Sequence, residues 1–153
     1  MTAHGIDDRP IFKDDIDRQG FAIRAKRVAL REGWRILAGC LLGTHYHFVL
    51  EALLGRVSEG MRVLNGGHSR AFNQRHGRRG ALFEARYEDR VIRDEEHLAN
   101  AVVYVEFNAV EAGIVEAVED WPWSTHPSCE MRTLLAPCMP PELPKGVRHR
   151  SGV

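Results

Sequence analysis

The chain has 153 residues, of which 44% are hydrophobic and 27% charged, a globular composition that excludes wholesale disorder. Lys plus Arg and Asp plus Glu number 21 each, so the protein is not a uniformly basic nucleic-acid binder. There is no apolar run of the roughly 18 residues that a membrane span needs and no basic-then-apolar leader, so we expect a cytoplasmic protein. The three distant cysteines, Cys40, Cys129 and Cys138, favour neither a disulfide framework nor a zinc knuckle.

The elements predicted in chain order alternate between helices and strands. Asp14 and Asp15 precede an apolar-periodic run that predicts a helix ending near Gly33. The order then continues with buried strands over 34–42 and 45–50 that can pair as a hairpin, a helix over 57–76, a loop over 77–80, a short strand within 87–92, and a helix over 94–110 capped by Asp94. This order predicts an α+β sandwich. Beyond about residue 137 the proline content predicts little fixed structure.

Charge is segregated along the chain although the total is zero. Residues 62–93 contain eight arginines and three acidic residues, together with Phe72, Phe83 and Tyr87. Residues 94–120 contain eight acidic residues and no Lys or Arg. Arginine binds phosphate through a planar fork, and aromatic rings stack on unpaired bases. The basic segment therefore indicates either a surface for single-stranded or hairpin nucleic acid or a solvated helix face.

The most distinctive short motif is His45-Tyr46-His47. On a strand, residues two apart point to the same face, so His45 and His47 can hold one metal ion or form a structural pair. Tyr104 and Asn108 lie four residues apart in the predicted helix, hence on one face. A phenol is a weak nucleophile at neutral pH because its pKa is near 10. A divalent metal beside a phosphate would help it to attack, so these residues are the components of a metal-assisted phosphotyrosine strand-transfer site.

The sequence resembles the REP-associated tyrosine transposases (RAYTs), which are part of the HUH single-tyrosine transposase family. His45-Tyr46-His47 is similar to the family's His-hydrophobic-His motif. The stretches IFKDDIDRQGF, MRVLN, AFNQRHGRRGALFEARY, HLANAVVYVEFNAVEAGIV and WPWS match in the same order. The matches span roughly residues 3–126, so we expect a transposase-like domain over 1–126 and a Pro-rich tail over 127–153.

The resemblance implies a ferredoxin-like antiparallel sheet with helices on one face. It also implies that the protein cleaves and rejoins single-stranded DNA near hairpins. The reaction would pass through a 5′-phosphotyrosine intermediate and use Mg²⁺ or Mn²⁺. It assigns His45 and His47 as metal ligands and Tyr104 as the nucleophile, while Asn108 is our inferred third ligand. The DNA contacts are expected within the basic segment, at Arg70, Arg75, Arg78, Arg79, Arg86 and Tyr87. Trp121 and Trp123 are expected to pack against the sheet. Family members occur as monomers and as dimers.

Three features depart from the family pattern. Leu42-Gly43-Thr44 replaces the usual Met-Pro-Asn before the HUH motif, and Asn108-Ala109 replaces an Asn-Pro pair. Of the first strand, which lies in the middle of the family's sheet, only residues 2–5 remain. The true start lies upstream, another chain completes the sheet, or the protein is a degenerate copy.

Two other functions are consistent with parts of the pattern. A catalytically degenerate relative would bind hairpin DNA through the basic segment without cleaving it. A metal-dependent hydrolase would use His45 and His47 to activate water, but no acidic ligand or general base follows at a recognisable spacing.

Overall fold

The computed structural model describes residues 1–144 and 146–147. The strands are β1 (Thr2–His4), β2 (Trp34–Leu41) and β3 (His45–Ala52). The helices are α1 (Asp15–Glu32), α2 (Val57–Arg75), α3 (Glu95–Glu106), α4 (Asn108–Glu111) and α5 (Glu130–Leu135). Three short 3₁₀ turns lie at Ile6–Asp8, Val118–Asp120 and Ala136–Cys138.

The three strands form an antiparallel sheet in the order β1-β3-β2, which confirms the predicted α+β class and the hairpin of β2 and β3. Irregular segments extend both edges. On the outer side of β1, Thr2 exchanges backbone hydrogen bonds with Glu88 of the irregular segment. Outside β2, the Leu41 amide donates to the Trp123 carbonyl at 2.9 Å. Trp123 is buried in the core, as its predicted structural role requires.

Strand β1 consists of three residues. Thr2 pairs with His47 and His4 pairs with His45, so β1 lies directly beside the HUH motif. One residue further, the Phe48 amide donates to the Met1 carbonyl at 2.9 Å. By antiparallel alternation the backbone groups of Leu50 and Ala52 point to the same side as those of Phe48. In the described part of the chain no strand pairs with that edge of β3 beyond Phe48.

Helices cover both faces of the antiparallel sheet. Helices α1 and α2 pack on the face that presents Tyr46 and Phe48. Helix α3 packs on the opposite face, where Val49 contacts the hydrophobic cluster that contains Val102 and Val105. Since side chains alternate along β3, His45 and His47 share the face of Val49 and therefore point toward α3.

Helix α1 begins and ends where the sequence predicts. The Asp14 carboxylate accepts a hydrogen bond from the Asp17 amide at 3.1 Å, and Gly33 ends the helix with φ of 69°, a left-handed conformation that suits glycine. Only part of the predicted apolar face is buried. Phe21 and Val28 are in the core, whereas Ile16, Ile23 and Leu30, which are spaced seven residues apart, form an exposed stripe.

Three other elements differ from the sequence prediction. Residues 87–92 do not form a strand, and only Glu88 makes a ladder-like bridge there. The predicted helix over 94–110 is interrupted at Phe107, between α3 and α4. The predicted boundary between residues 126 and 127 does not separate a core from a tail, because Met131 and Leu135 of α5 are buried against α1. Residues 148–153 of the predicted tail lie outside the described residues.

Candidate active site

Strand β3 places His45 and His47 side by side on the face that α3 covers. Their ring centroids are 5.0 Å apart and the ring planes are nearly perpendicular, at 85°. His4 of β1 stacks on His45 at 4.8 Å with an angle of 18° between the rings. Three imidazoles therefore lie together, and the sequence analysis had considered only the two of the HUH motif.

The histidines of the motif are poised to be neutral. Burial lowers the pKa of His47 to about 4, and the neighbouring His45 and His4 lower it further in the same direction. Burial, followed by the charge of His4, also lowers the pKa of His45. Each ring binds a threonine hydroxyl through Nδ1: Thr2 Oγ1 lies 2.8 Å from His47, and Thr44 Oγ1 lies 3.0 Å from His45. A neutral imidazole with a free nitrogen is the form that binds a metal ion.

Tyr104 projects from α3 toward the motif. Its ring centroid is 5.8 Å from that of His47, and the rings meet edge to face at 72°. The side chain is 55% exposed, so its hydroxyl is accessible to a substrate. The sequence placed these two residues in one site without long-range information, and the packing of α3 on β3 brings them together.

Asn108 does not share this position. The break at Phe107 starts α4, and Asn108 is only 5% exposed at its beginning. The residues that line the groove beside Tyr104 do not include it. Its role as third metal ligand therefore gains no geometric support and stays a prediction.

The donor set suits a metal only in part. The two imidazoles of the motif have the right chemistry, because their Nδ1 atoms are engaged and no hydrogen bond in the described chain occupies Nε2 of either. Among the described residues, however, no group of three or more His, Cys, Asp or Glu side chains is arranged to hold a metal ion. Any further ligands would be Tyr104, an amide, water or substrate oxygens.

A groove of about 1070 Å³ opens beside Tyr104 and His47. One wall is the free edge of β3 with α3, and the other is the irregular segment over 87–92. Glu51, Glu88, Asp89 and Arg90 give the lining a mixed charge, with more acidic than basic groups. A polyanion would therefore be held near Tyr104 mainly by groups outside the groove or by a bound cation.

The predicted DNA contacts occupy different environments. Arg75 is held by Asp14 and Asp17, with Nη–O distances of 2.6–2.7 Å. Arg78 donates to the Asn73 side chain and the Ala81 carbonyl. The Tyr87 hydroxyl lies 3.0 Å from that of Ser58, whereas Arg70, Arg79 and Arg86 are exposed and their side chains make no ion pair in the described chain. Arg70, Arg79 and Arg86, which are exposed, are therefore the predicted contacts most available to a phosphate backbone.

Similar proteins provide independent evidence on the family. A "Putative REP-associated tyrosine transposase" of Haemophilus influenzae (strain ATCC 51907 / DSM 11121 / KW20 / Rd) is 38% identical over 53 residues, which cover 35% of this chain and 30% of that relative. A solved structure described as a REP-associated tyrosine transposase bound to a REP hairpin matches 99% of this chain and 90% of that chain, with a TM-score of 0.67 and 19% identity. The resemblance to the REP-associated tyrosine transposases is confirmed. At 19% identity the second match is one of fold, and no family model matches the chain.

The contacts that sequence reasoning missed are those of Thr2, Thr44 and His4 with His45 and His47. Thr44 was noticed as a departure from the family's Asn, so a polar group before the motif was the available signal. The roles of Thr2 and His4 depend on the pairing of β1 with β3, which no local pattern encodes.

None of the helices in the described part of the chain has the length and hydrophobicity needed to cross a membrane.

Proposed function

We propose that the protein is a metal-dependent tyrosine DNA strand transferase that cleaves and rejoins single-stranded DNA near hairpins. The observation that carries the proposal is the approach of Tyr104 to His47, at 5.8 Å between ring centroids, although the two residues are 57 positions apart in sequence. The match to a RAYT by sequence and to another, bound to a REP hairpin, by fold supports the class of substrate. The sequence match covers only 30% of the length of that relative, so the transposase activity of the relative is a proposal for this chain.

The chemistry starts with attack of the Tyr104 oxygen on the phosphorus of a DNA phosphodiester. A bond forms between this oxygen and phosphorus, and the phenolic proton passes to solvent or a base. The bond from phosphorus to the 3′ oxygen breaks, and the 3′ oxygen takes up a proton from solvent or that base. The products are a 5′-phosphotyrosine and a DNA strand with a free 3′-OH. Rejoining is the reverse, with a 3′-OH attacking the phosphotyrosine. No hydrolysis or external energy source is needed.

The residues of the chain divide this task. His45 and His47 would hold Mg²⁺ or Mn²⁺, which when bound polarises the phosphoryl oxygen and neutralises charge that develops on it. The exposed position of Tyr104 lets its hydroxyl reach a phosphorus that lies in line. Arg70, Arg79 and Arg86 would bind the flanking backbone, because their guanidinium groups are exposed and not paired with acids.

The test is a covalent-adduct assay with Tyr104→Phe. Purified protein is incubated with end-labelled single-stranded hairpin oligonucleotides and Mn²⁺, and a denaturing gel is examined for label that migrates with protein. We expect an adduct with the wild type and at least a ~10³-fold loss with Tyr104→Phe, since phenylalanine has no nucleophilic oxygen. Thr133→Val, which removes one hydroxyl on the exposed side of α5, is the control and should retain the adduct. An adduct of undiminished yield in Tyr104→Phe would refute the choice of nucleophile.

A second function, hairpin-DNA binding without catalysis, is favoured by one observation. Among the described residues, no group of three or more His, Cys, Asp or Glu side chains is arranged to hold a metal ion, and Asn108 is buried. Such a protein would bind hairpin DNA with an affinity that falls steeply with salt and would form no adduct at any Mn²⁺ concentration. An adduct in the wild type excludes this alternative.

A further inference from the structure

The two histidines of the HUH motif are held in the same way by threonines from different elements. Thr2 of β1 places its Oγ1 2.8 Å from Nδ1 of His47. Thr44, in the turn between β2 and β3, places its Oγ1 3.0 Å from Nδ1 of His45. In both cases the ring nitrogen engaged is Nδ1, and no hydrogen bond in the described chain involves Nε2 of either ring.

This arrangement bears on the position of one proton in each ring. A neutral imidazole carries a hydrogen on one nitrogen and a lone pair on the other, and the hydrogen bond made by one nitrogen decides which is which. A threonine hydroxyl can accept a hydrogen bond from Nδ1–H, which leaves the lone pair on Nε2. It can instead donate to Nδ1, which places the hydrogen on Nε2 and blocks that atom as a metal ligand.

We propose that Thr2 and Thr44 are positioning residues that accept hydrogen bonds from Nδ1–H of His47 and His45 and so direct both Nε2 lone pairs to one divalent cation. The inference rests on the proposed function for the identity of the ligand. Threonines do here what carboxylates or backbone carbonyls do beside many metal-binding histidines, where they fix the tautomer and the ring orientation. A hydroxyl achieves this without adding negative charge to a site that must accept a phosphodiester.

The positions of the threonines explain why each acts on one ring only. Thr2 faces His47 because the two residues are directly paired in the β1–β3 ladder. Thr44 immediately precedes His45, so it reaches the first histidine of the motif and not the second. Loss of either hydroxyl should therefore affect one histidine while the other serves as an internal control.

The first experiment measures the tautomers in the metal-free protein. Long-range ¹H–¹⁵N spectra of ¹⁵N-histidine-labelled protein at pH 7 distinguish the Nδ1–H and Nε2–H forms. We expect Nδ1–H in both motif rings of the wild type, a shift toward Nε2–H at His47 in Thr2→Val, and the same shift at His45 in Thr44→Val. Valine keeps the β-branched shape, and serine at either position should restore the wild-type tautomer. Thr133→Val, on the exposed side of α5, is the matched control.

The second experiment titrates the same variants with Mn²⁺ alone, followed by calorimetry. Loss of one hydroxyl should weaken Mn²⁺ binding by about 10- to 100-fold, the usual effect of removing such a partner. The proposal is overturned if both wild-type rings carry the hydrogen on Nε2, or if the valine variants keep wild-type tautomers. If the wild type shows Nδ1–H tautomers but binds no Mn²⁺, the metal-dependent function fails while the effect of the threonines on the rings stands.

Discussion

At the scale of single residues, the buried histidines determine how the protein responds to acid. His68 of α2 is enclosed by aromatic rings, with Phe12 and Phe21 at centroid distances of 4.9 and 5.0 Å, and its Nε2 donates to the Ile11 carbonyl at 2.8 Å. Burial lowers its pKa to about 4, although the bond to Ile11 opposes this shift. His47 reaches a similar pKa for the same main reason. Both rings are therefore neutral in the folded protein under conditions where the unfolded chain begins to protonate.

As a result, the folded protein should lose stability as the pH falls from 6.5 to 4. In this range the unfolded state binds more protons than the folded state, so the free energy of unfolding falls as pH falls, by at most about 1.4 kcal/mol per pH unit for each histidine. His68→Gln removes one of the histidines with a lowered pKa and should reduce the slope by at most about 1.4 kcal/mol per pH unit. Urea unfolding at pH 7, 6 and 5 measures the slope of the free energy of unfolding against pH. Identical slopes in wild type and variant would contradict a depressed pKa at His68.

At the scale of elements, an ion cluster joins the start of α1 to the end of α2. Arg75 binds Asp14 and Asp17, and Nε2 of His76 donates to Asp17 at 2.9 Å. The bond from Arg75 lowers the pKa of Asp14 to about 2. For Asp17, burial raises the pKa, but the hydrogen bonds from the Lys13 amide, Arg75 and His76 outweigh it, and the net shift is downward. Asp14 and Asp17 therefore keep their negative charges above about pH 4, and their bonds to Arg75 connect α1 to α2.

Arg75 and Arg79 were both predicted to contact DNA, but the cluster binds Arg75 and leaves Arg79 exposed. Arg79→Gln should weaken binding to hairpin DNA and reduce the slope of log affinity against log salt by about 0.7 to 0.9, as expected for one lost phosphate contact. Arg75→Gln should lower the urea midpoint of unfolding, because Asp17 is then left buried without its guanidinium partner, and should change the salt slope less. Fluorescence anisotropy between 50 and 200 mM salt measures both slopes. A larger change for Arg75→Gln would show that its guanidinium turns from the cluster to DNA.

The elements with strong local signals were those predicted correctly. Asp14, Gly33 and Asp94 mark helix ends through capping, which depends on neighbours within four residues. The apolar runs before and after Gly43-Thr44 predicted the hairpin for the same reason. The break at Phe107 and the burial of α5 were missed because both depend on packing against the sheet and α1, which have no counterpart in local periodicity.

The candidate site shows the same division. His45, His47 and Tyr104 were found from a short motif and a family resemblance, and the fold brings His47 and Tyr104 together. The contribution of Thr2 could not be predicted, since it arises from the register of β1 with β3. Asn108 was inferred from helical spacing alone, and its role as a ligand stays a prediction because the helix is interrupted at Phe107.

At the scale of the whole molecule, the sheet separates two cores and places the site between them. The larger core lies against α1 and α2, and the smaller one lies under α3. Strand β3 contributes Tyr46 and Phe48 to the first and carries His45 and His47 on the side of the second. The buried side of the strand therefore holds the motif rigid, while the other side leaves Tyr104 accessible. Anchoring reactive groups on a packed strand keeps their geometry more precise than a loop would.

The edge of β3 beyond Phe48 is not paired with another strand in the described chain, so its amides should be less protected than those inside hydrogen-bonded segments. The Leu41 amide, on the outer side of β2, donates to the Trp123 carbonyl at 2.9 Å, whereas the Leu50 amide faces the groove without a strand partner in the described chain. We expect hydrogen exchange at Leu50 to be at least about tenfold faster than at Leu41, because unpaired edge amides need no opening of the sheet. Exchange followed by NMR at two protein concentrations measures this ratio. Equal protection of both amides would show that this edge is paired in solution, and protection that rises with concentration would identify a second copy as the partner.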